Sequence, residues 1–261
     1  MNKLICSVCI FDTRSFTDKL RFFSQADDTD FIELIKVLSQ NGLLLASELD
    51  KDNNFYFNST GDGFITIFFG DHSSVKCYLF SLILSKINKD ECTKFKEKKN
   101  MEIKFGIGME FGYVEKIEIN SSAYKIVTYI GDVVNIASRI ETETKKHFSA
   151  DIMMGENMNK DIVKKLFNID YEEIVEKVKI SSNMKNVIKY LNMLHSINHK
   201  MLLTFLSEHM LKGVEKQVSL FRVSPSLAKR DSKYFHNFIK KCTKRLDIDS
   251  TKIYKIIKDG I

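Results

Sequence analysis

The chain has 261 residues, of which 44% are hydrophobic and 28% are charged. This composition is typical of a soluble globular protein, excludes a largely disordered chain and leaves room for one large domain or two small ones. The longest apolar runs, 4–11 and 75–84, are too short or too interrupted to span a bilayer, and the first lacks a signal-peptide cleavage site. Five cysteines without metal-ligand spacing argue against a disulfide framework. We therefore expect a cytoplasmic protein with no stable membrane insertion.

The net charge of +6 is concentrated near the end of the chain. Residues 226–261 contain ten Lys or Arg and four Asp or Glu, so their excess equals that of the whole sequence. A nucleic-acid-binding protein usually spreads its basic groups over a binding face, so this pattern favours a solvated helix face over a nucleic-acid site. Pro225, the only proline, stands where the composition changes. We predict a main domain over 1–224 and a basic helical C-terminal extension over 225–261.

The hydrophobic pattern predicts strands and helices in mixed order over the first part of the chain. They are a strand over 3–11, helices over 15–23 and 31–48, strands over 54–59 and 63–69, a helix over 75–89, a strand over 102–111 that continues through 113–117, and a helix over 133–144. This order predicts an α+β fold with a mixed, mainly antiparallel sheet and helices that can pack on one face.

The second part of the chain is predicted to be mostly helical. We expect a short strand over 152–155, a helix over 160–167, long helices within 170–208, and two short strands over 210–214 and 218–223. After Pro225, five apolar residues fall on one helical stripe, namely Phe235, Phe238, Ile239, Cys242 and Leu246.

Two aspartates stand at a strand end and at a tight turn, where loops present functional groups. Asp12 lies where the first strand runs into a helix, and the backbone amides of Ser15, Phe16 and Thr17 at that helix start could hold phosphate oxygens. Asp62 lies at the tip of a predicted hairpin. Two carboxylates on adjacent strands could bind a pair of metal ions at a phosphate. Each aspartate alone also fits a structural role, as a helix cap or an ordinary turn residue.

A third polar cluster lies on the helix predicted over 133–144. Asn135 and Arg139 are four residues apart and share one helix face. Such a pair could bind a sugar hydroxyl and a phosphate, because a guanidinium group fits phosphate oxygens, or it could be an exposed polar stripe. Residues 211–218, which include Lys212, form a basic turn near the end of the main domain.

In this order and spacing, these segments resemble the catalytic domain of class III nucleotidyl cyclases. The matching motifs are Asp12 to Thr17, Gly61 to Phe64 followed by Phe69-Gly70, Gly131 to Glu141, and Leu211 to Val214. The resemblance extends over 1–224 and implies a ferredoxin-like, palm-type β-α-β-β-α-β domain. Residues 170–208 are longer than this region usually is in the family, so we interpret them as a helical insertion.

The resemblance implies a metal-dependent reaction on a nucleoside triphosphate. Asp12 and Asp62 fall on the two metal-binding aspartates of the family, with the Thr13 backbone beside them, and the expected cofactors are two divalent ions, Mg²⁺ or Mn²⁺. The metals would lower the pKa of the ribose 3′-hydroxyl, which attacks the α-phosphate to give pyrophosphate and a 3′,5′-cyclic nucleotide.

The resemblance also implies a site shared between two chains. Asn135 falls on the residue that positions the ribose, Arg139 on the one that stabilises the transition-state phosphate, and Lys212 on a lysine that contacts the triphosphate. In the family, the metal-binding aspartates come from one chain and the Asn–Arg pair from its partner. We therefore expect a head-to-tail homodimer and an inactive monomer.

The sequence departs from the family at the two positions that select the base. Asn58 stands where adenylate cyclases of the mammalian type have Lys and guanylate cyclases have Glu. Thr128 stands where those classes have Asp (Thr in many bacterial enzymes) and Cys. Asn donates and accepts hydrogen bonds, so it forbids neither purine. Tyr56, on the same strand face as Asn58, could stack on a base, narrow the pocket toward a pyrimidine, or be a core tyrosine.

Within the family, a compact cyclase with no sensor domain and unusual base-selecting residues resembles the pyrimidine cyclases of bacterial Pycsar anti-phage systems. Those enzymes make cyclic UMP or cyclic CMP, which activates a separate effector protein. The resemblance favours a pyrimidine, uracil before cytosine, and leaves open an adenylate cyclase with an unusual base-selecting pair.

Other functions have less support from the sequence. An inactive cyclase-like dimerisation or binding module would normally have lost at least one of the five matching functional residues. A diguanylate cyclase or polymerase palm has the same order of elements, but the sequence lacks a Gly-Gly-Asp-Glu-Phe run and a double-Asp hairpin. Nucleic-acid binding would depend on the basic extension and on salt concentration.

Overall fold

We describe the fold from a computed structural model, which covers residues 3–52, 54–121, 124–147 and 151–259. The strands in these ranges are β1 (Lys3–Thr13), β2 (Phe55–Ser59), β3 (Gly63–Phe69), β4 (Phe105–Asn120), β5 (Lys125–Ile130), β6 (Ile152–Met154), β7 (Leu203–Met210) and β8 (Gln217–Val223). The helices are α1 (Phe16–Gln25), α2 (Asp30–Leu49), α3 (Ser73–Lys99), α4 (Asp132–Thr144), α5 (Glu156–Phe167), α6 (Tyr171–Ile180), α7 (Met184–Lys200), α8 (Lys233–Leu246) and α9 (Ser250–Asp259).

The strands form one mixed sheet in the order β2-β3-β1-β4-β6-β8-β7, and β5 pairs with β4 beside this path. The pairing of β4 with β6 is parallel, and the other pairings between described strands are antiparallel. The predicted α+β fold with a mainly antiparallel sheet is therefore confirmed.

Helices cover both faces of this sheet, so the expectation of helices on one face was wrong. The larger core contains Cys9 from β1 together with residues of α2, α3, α5, α8 and α9. Cys6 and Val8 from the same strand lie in a second core with Val133 and Ala137 of α4. Because side chains alternate along a strand, the continuous apolar run of β1 supplies both cores. Burial on both faces is what such a run is expected to need.

The order of elements was predicted better than their boundaries. Residues 203–208 were predicted to be helical but form β7, since Leu203–Met210 pairs along β8 and the ladder outweighs the local helical spacing. Residues 211–214 were predicted as strand and form a turn, in which Gly213 has a left-handed φ of 75°. β5 was not predicted, and the division of the predicted helical extension into α8 and α9 was not predicted either.

The C-terminal segment packs onto the main core through the predicted apolar stripe. Phe235, Phe238, Ile239 and Cys242 of α8 are buried, and the ring of Phe238 lies 5.1 Å from that of Tyr78 on α3. The basic residues of α8 remain on its outer side, as the solvated-face interpretation requires. Among the described helices, none has the length and apolar content needed to cross a membrane.

Glu110 on β4 is a fully buried carboxyl group between the sheet and α5. Its Oε1 accepts hydrogen bonds from the backbone N–H groups of Phe111 (2.9 Å) and Met158 (3.0 Å). Its Oε2 is buried against Gly155, where an added Cβ would lie 2.0 Å away, and has no hydrogen-bond partner among the described residues. Burial raises the pKa of Glu110 to about 7, because the charged form loses its hydration.

We expect Glu110→Gln to make stability less dependent on pH. In the unfolded chain a Glu titrates near about 4.3, so between that pH and about 7 the folded wild type binds more protons than the unfolded chain. The free energy of unfolding of the wild type should therefore fall by about 3 kcal/mol relative to the variant as the pH rises through this window. Urea unfolding between about pH 4 and 8 measures the difference. Glu97→Gln, at an exposed position, is the control and should follow the wild type; equal pH slopes for Glu110→Gln and the wild type would contradict this account.

Candidate functional site

The two aspartates singled out in the sequence lie beside each other at the ends of β1 and the β2–β3 hairpin. β1 and β3 are antiparallel with Asp12 opposite Gly63, and the backbone N–H of Thr13 donates to the Asp62 carbonyl oxygen at 3.1 Å. Gly63 permits this approach, because a Cβ there would lie 2.0 Å from the carbonyl oxygen of Phe11. The hairpin thus carries the Asp62 side chain to the end of β1.

The negative charges at this point are concentrated and partly balanced. Burial raises the pKa of Asp62, and the negative charge of Asp12 raises it further. Lys145, just after α4, donates a hydrogen bond to Asp12 Oδ2 at 2.9 Å and lies 3.6 Å from Glu141 Oε2. Burial also raises the pKa of Glu141 to about 7, and its Oε1 is buried with no hydrogen-bond partner in the part of the chain that the structure describes.

These residues suit a divalent metal ion of the hard type. Carboxylate and backbone oxygens are the ligands that Mg²⁺ and Mn²⁺ prefer, and two adjacent carboxylates that repel each other are stabilised by a cation. Among the described residues, no group of three His, Cys, Asp or Glu side chains forms a complete metal site. A metal held by Asp12, Asp62 and the Thr13 backbone would therefore leave positions open for oxygens of a bound phosphate.

The start of α1 follows directly after Asp12. Ser15 precedes the helix with a left-handed φ of 57°, and the helical hydrogen bonds begin with Lys19 N–H to the Ser15 carbonyl oxygen at 3.2 Å. The first N–H groups of a helix, here those of Phe16 and Thr17, have no partner within the helix and attract anions. The ring of Phe16 packs near that of Phe31, with centroids 5.6 Å apart, so its contribution to a site would come from the backbone.

Asn135 and Arg139 lie together on the outer side of α4. Val133, Ala137 and Ile140 form the buried side, while Asn135 and Arg139 are exposed. Contact between α4 and β4 is very close at Gly108, where a Cβ would lie 2.2 Å from Glu141 N and 2.3 Å from the Ala137 carbonyl oxygen. The close packing fixes which side of α4 faces outward.

A cleft of about 530 Å³ extends from Asn135 to the turn between β7 and β8. Its lining includes Asp132, Glu156 and residues 213–218 of that turn. Lys212 is exposed in the same turn, directly before the lining residues. Asn135 and the basic turn are therefore brought to one cleft.

The aspartate pair and the Asn135–Arg139 pair have different partners within the described part of the chain. Among the described residues, no hydrogen bond or ion pair joins the Asp12–Asp62 pair to Asn135, Arg139 or Lys212. At the end of α4, Lys145 contacts Asp12. Arg14, directly after β1, also links β1 to α4 by donating a hydrogen bond to the Thr144 carbonyl oxygen at 3.0 Å. Asn135 and Arg139 remain exposed for other contacts.

The predicted base-selecting residues lie on neighbouring elements. Asn58 is exposed near the end of β2, and Thr128 is half-buried on β5. The ring of Tyr56 on β2 lies 5.0 Å from that of Tyr129 on β5. Tyr56 also packs against the core that lies between the sheet and α4. This contact favours the core role for Tyr56 over a role in stacking on a base.

The fold is similar to solved nucleotidyl cyclase structures. The adenylyl cyclase CyaB from P. aeruginosa matches over 88% of this chain and 97% of its own, with a TM-score of 0.58 and 16% identity. The class III cyclase fold is present. The guanylyl cyclase Cya2 matches over 85% and 92% with a TM-score of 0.55 and 12% identity. The guanylate cyclase domain of RhGC from Catenaria anguillulae, solved in complex with GTP, matches over 86% and 98% with a TM-score of 0.53 and 16% identity.

One relative is detectable by sequence. An adenylate cyclase of Anabaena cylindrica is 26% identical over 155 residues, which is 56% of this chain and 30% of the relative. The chain therefore matches less than a third of that protein's length. No protein-family model matches the chain.

Sequence reasoning missed two charged residues beside the aspartates. Glu141 entered only as part of a motif, and Lys145 was not considered. The signal was available, because Lys145 follows Glu141 by four residues and so lies on the same helix face. The sequence gives no signal that these two residues lie close to Asp12, because this depends on how α4 crosses the sheet.

We expect Mn²⁺ to raise the melting temperature of the wild type and to have no such effect on Asp62→Asn, because one carboxylate is then lost from the pair. Lys145→Gln removes the ammonium group that competes for Asp12, so the same stabilisation should occur at a lower Mn²⁺ concentration. Thermal unfolding against Mn²⁺ concentration measures both effects. Asp231→Asn, at an exposed position, serves as the control. An equal Mn²⁺ response in Asp62→Asn and the wild type would exclude a metal at this pair.

Proposed function

We propose that the protein is a nucleotidyl cyclase, which converts a nucleoside triphosphate into a 3′,5′-cyclic nucleotide and pyrophosphate. The observation that carries this proposal is the pairing of Asp12 and Asp62 on adjacent strands of a class III cyclase fold. A carboxylate pair at a strand end, beside a helix start that can hold phosphate, is the arrangement that binding of a metal–triphosphate complex requires.

Residues of the chain would divide the work between binding and charge stabilisation. Two divalent ions, Mg²⁺ or Mn²⁺, would when bound supply positive charge at the phosphates and at the 3′-hydroxyl. Asp12, Asp62 and the Thr13 backbone would hold them. The N–H groups at the start of α1, at Ser15, Phe16 and Thr17, would orient the phosphate oxygens.

Other residues would act on the ribose and the phosphates. The Asn135 amide would orient the ribose by hydrogen bonding. The guanidinium of Arg139 would stabilise charge that develops on the α-phosphate, and Lys212 would bind the triphosphate chain.

A complete site would require two copies of the chain. Asn135 and Arg139 are exposed on α4, and among the described residues no hydrogen bond or ion pair joins them to Asp12 or Asp62. In a head-to-tail homodimer, the α4 face of one protomer would cover the Asp12–Asp62 pair of its partner, giving two equivalent sites. A bound metal ion would then replace the Lys145 ammonium group as the partner of Asp12.

For the base, we propose a pyrimidine, with uracil before cytosine. Asn58 lacks the charge of the Lys or Glu found in purine-selective members, and this difference is the observation that supports the assignment. On this basis, the protein would make cyclic UMP or cyclic CMP in the cytoplasm, as a signal to a separate effector in anti-phage defence. Adenylate cyclase activity is the second candidate, favoured by the Anabaena cylindrica relative, which is described as an adenylate cyclase.

The direct test is incubation of the purified protein with ATP, GTP, CTP and UTP separately, with Mn²⁺ or Mg²⁺, and identification of products by mass spectrometry. Cyclic UMP or cyclic CMP is the expected product. Cyclic AMP would replace the pyrimidine assignment with the adenylate one. Absence of any cyclic product in a protein that still shows the Mn²⁺ stabilisation would favour an inactive binding module.

Complementation tests the shared site. Asp62→Ala and Arg139→Ala should each abolish turnover, and mixing them in equal amounts should restore about a quarter of wild-type activity. Half of randomly mixed dimers contain one mutant of each kind, and each of these has one intact site out of two. Product formation per total protein is the measurement. Asn135→Ala mixed with Arg139→Ala is the control and should stay inactive, since both changes fall on the same half-site.

Base selection is tested at β2. Asn58→Lys should shift the ratio of turnover rates toward ATP by about tenfold or more, because a charged donor there favours an acceptor on adenine. Competition assays with mixed nucleotides measure the ratio, and Ser59→Lys, one residue along the strand, is the control. An unchanged ratio in Asn58→Lys would place base selection elsewhere.

A further inference from the structure

The segment 170–208, predicted as a helical insertion, contains α7, which is only partly covered by the rest of the protein. Ile197 is buried in the larger core, and Tyr190 and Leu194 pack against that core. These residues form the inner side of α7, which faces β7 and α6. Most other residues of α7 are exposed, apart from Asn198, which is buried, and Val187 and His199, which are half-buried.

One exposed side of α7 is an apolar stripe. Met184 is 71% exposed, Ile188 51% and Leu191 49%, and their spacing of four and three residues places them on one helix face. Ile180, 80% exposed at the end of α6, lies just before them in the chain. Single exposed apolar residues are ordinary on protein surfaces, but a row at helical spacing is typical of an interaction surface.

The charged side chains of α7 itself have one sign, while α6, which packs against it, carries Glu172, Glu173 and Glu176. Residues 177–207 contain five Lys and no Asp or Glu, and the acidic residues of α6 all precede Lys177. Lys185 and Lys189, four residues apart, are exposed on the side of α7 next to the stripe. A basic amphipathic helix of this kind complements an anionic surface with an apolar layer beneath it.

The positive surface continues from α7 onto α8. The ring of His199 lies 4.5 Å from that of Tyr234, at the start of α8. Lys200 and Lys241 are close enough that their charges interact. The basic C-terminal extension, whose apolar stripe is buried, therefore adds its outward charges to those of α7.

This surface lies away from the face that the head-to-tail dimer would use. α7 packs into the larger core, whereas α4, with Asn135 and Arg139, covers the opposite face of the sheet. The stripe would thus stay accessible in the dimer, and the inference here does not depend on the proposed cyclase activity.

We propose that α7 binds an anionic membrane surface, with Met184, Ile188 and Leu191 entering the lipid headgroup region and the lysines of α7 and α8 contacting acidic lipids. The helix lies along the surface, in keeping with its length and its charged sides. The aliphatic stripe favours lipid over nucleic acid, because single-stranded nucleic acid is bound through aromatic stacking. Binding combines burial of apolar side chains with electrostatic attraction between the lysines and acidic lipids.

The test is co-sedimentation of the full chain with vesicles of phosphatidylcholine alone or mixed with phosphatidylglycerol. The wild type should bind the anionic vesicles, bind the neutral ones at least about tenfold more weakly, and dissociate in high salt. Equal binding to both vesicles, or no binding to the anionic ones, would overturn the proposal.

Two variants test the residues. Ile188→Asn and the double change Lys185→Glu with Lys189→Glu should each lower the partition coefficient by about tenfold. Ile32→Asn is a matched control, since Ile32 lies on α2 with the same 51% exposure as Ile188. Lys96→Glu, exposed at the end of α3, is the charge control. Unchanged melting temperatures verify folding, and an equal loss in test and control variants would overturn the assignment to α7.

Other occupants of the stripe would be recognised in the same experiments. If Ile188→Asn changes the oligomeric state in light scattering and the wild type does not bind vesicles, a second copy covers α7 and the proposal is wrong. If the wild type binds single-stranded RNA but not vesicles, and Lys185→Glu with Lys189→Glu abolishes this binding, the surface is a nucleic-acid site and the proposal is equally wrong.

Discussion

Two carboxyl groups of the same charge, Asp12 and Asp62, are held side by side by the pairing of β1 with β3, and the candidate site depends on how their repulsion is balanced. The backbone hydrogen bond from Thr13 to Asp62 and the lack of a side chain at Gly63 keep the strands close. Lys145 supplies one compensating positive charge. Either a lysine or a metal ion can reduce the repulsion between the two carboxylates. Because the fold holds them together, the pair attracts cations.

The position of Lys145 follows from the way α4 crosses the sheet. Close contact at Gly108 presses the helix backbone onto β4, and Arg14 ties its end to the strand that carries Asp12. The same contact turns Asn135 and Arg139 outward. One packing constraint therefore both places Lys145 beside Asp12 and leaves Asn135 and Arg139 exposed, as the proposed head-to-tail dimer would require.

The two faces of the sheet are built differently. One carries a large core with most of the helices, including the basic extension, and the other carries α4 with smaller cores. This asymmetry separates two surfaces with different chemistry. The α4 side has polar groups and a cleft beside a turn, while the α7 side has an aliphatic stripe and lysines. The two proposals therefore concern opposite sides of the protein, with nucleotide binding on the α4 side and binding to an anionic membrane on the α7 side.

The sequence by itself determined the order of most elements, the position of Asp12 at a strand end and of Asp62 at a hairpin tip, and the shared helix face of Asn135 and Arg139. Hydrophobic period, turn residues and helical spacing are local properties. The sequence did not determine β7, whose residues have helical spacing but pair along β8, or the layer to which α4 belongs. Only the tertiary structure decided that Lys145 meets Asp12, 133 residues away in the chain, and that α7 keeps an apolar side uncovered. Both depend on which surfaces meet across the sheet, and contacts between distant residues have no counterpart in local periodicity.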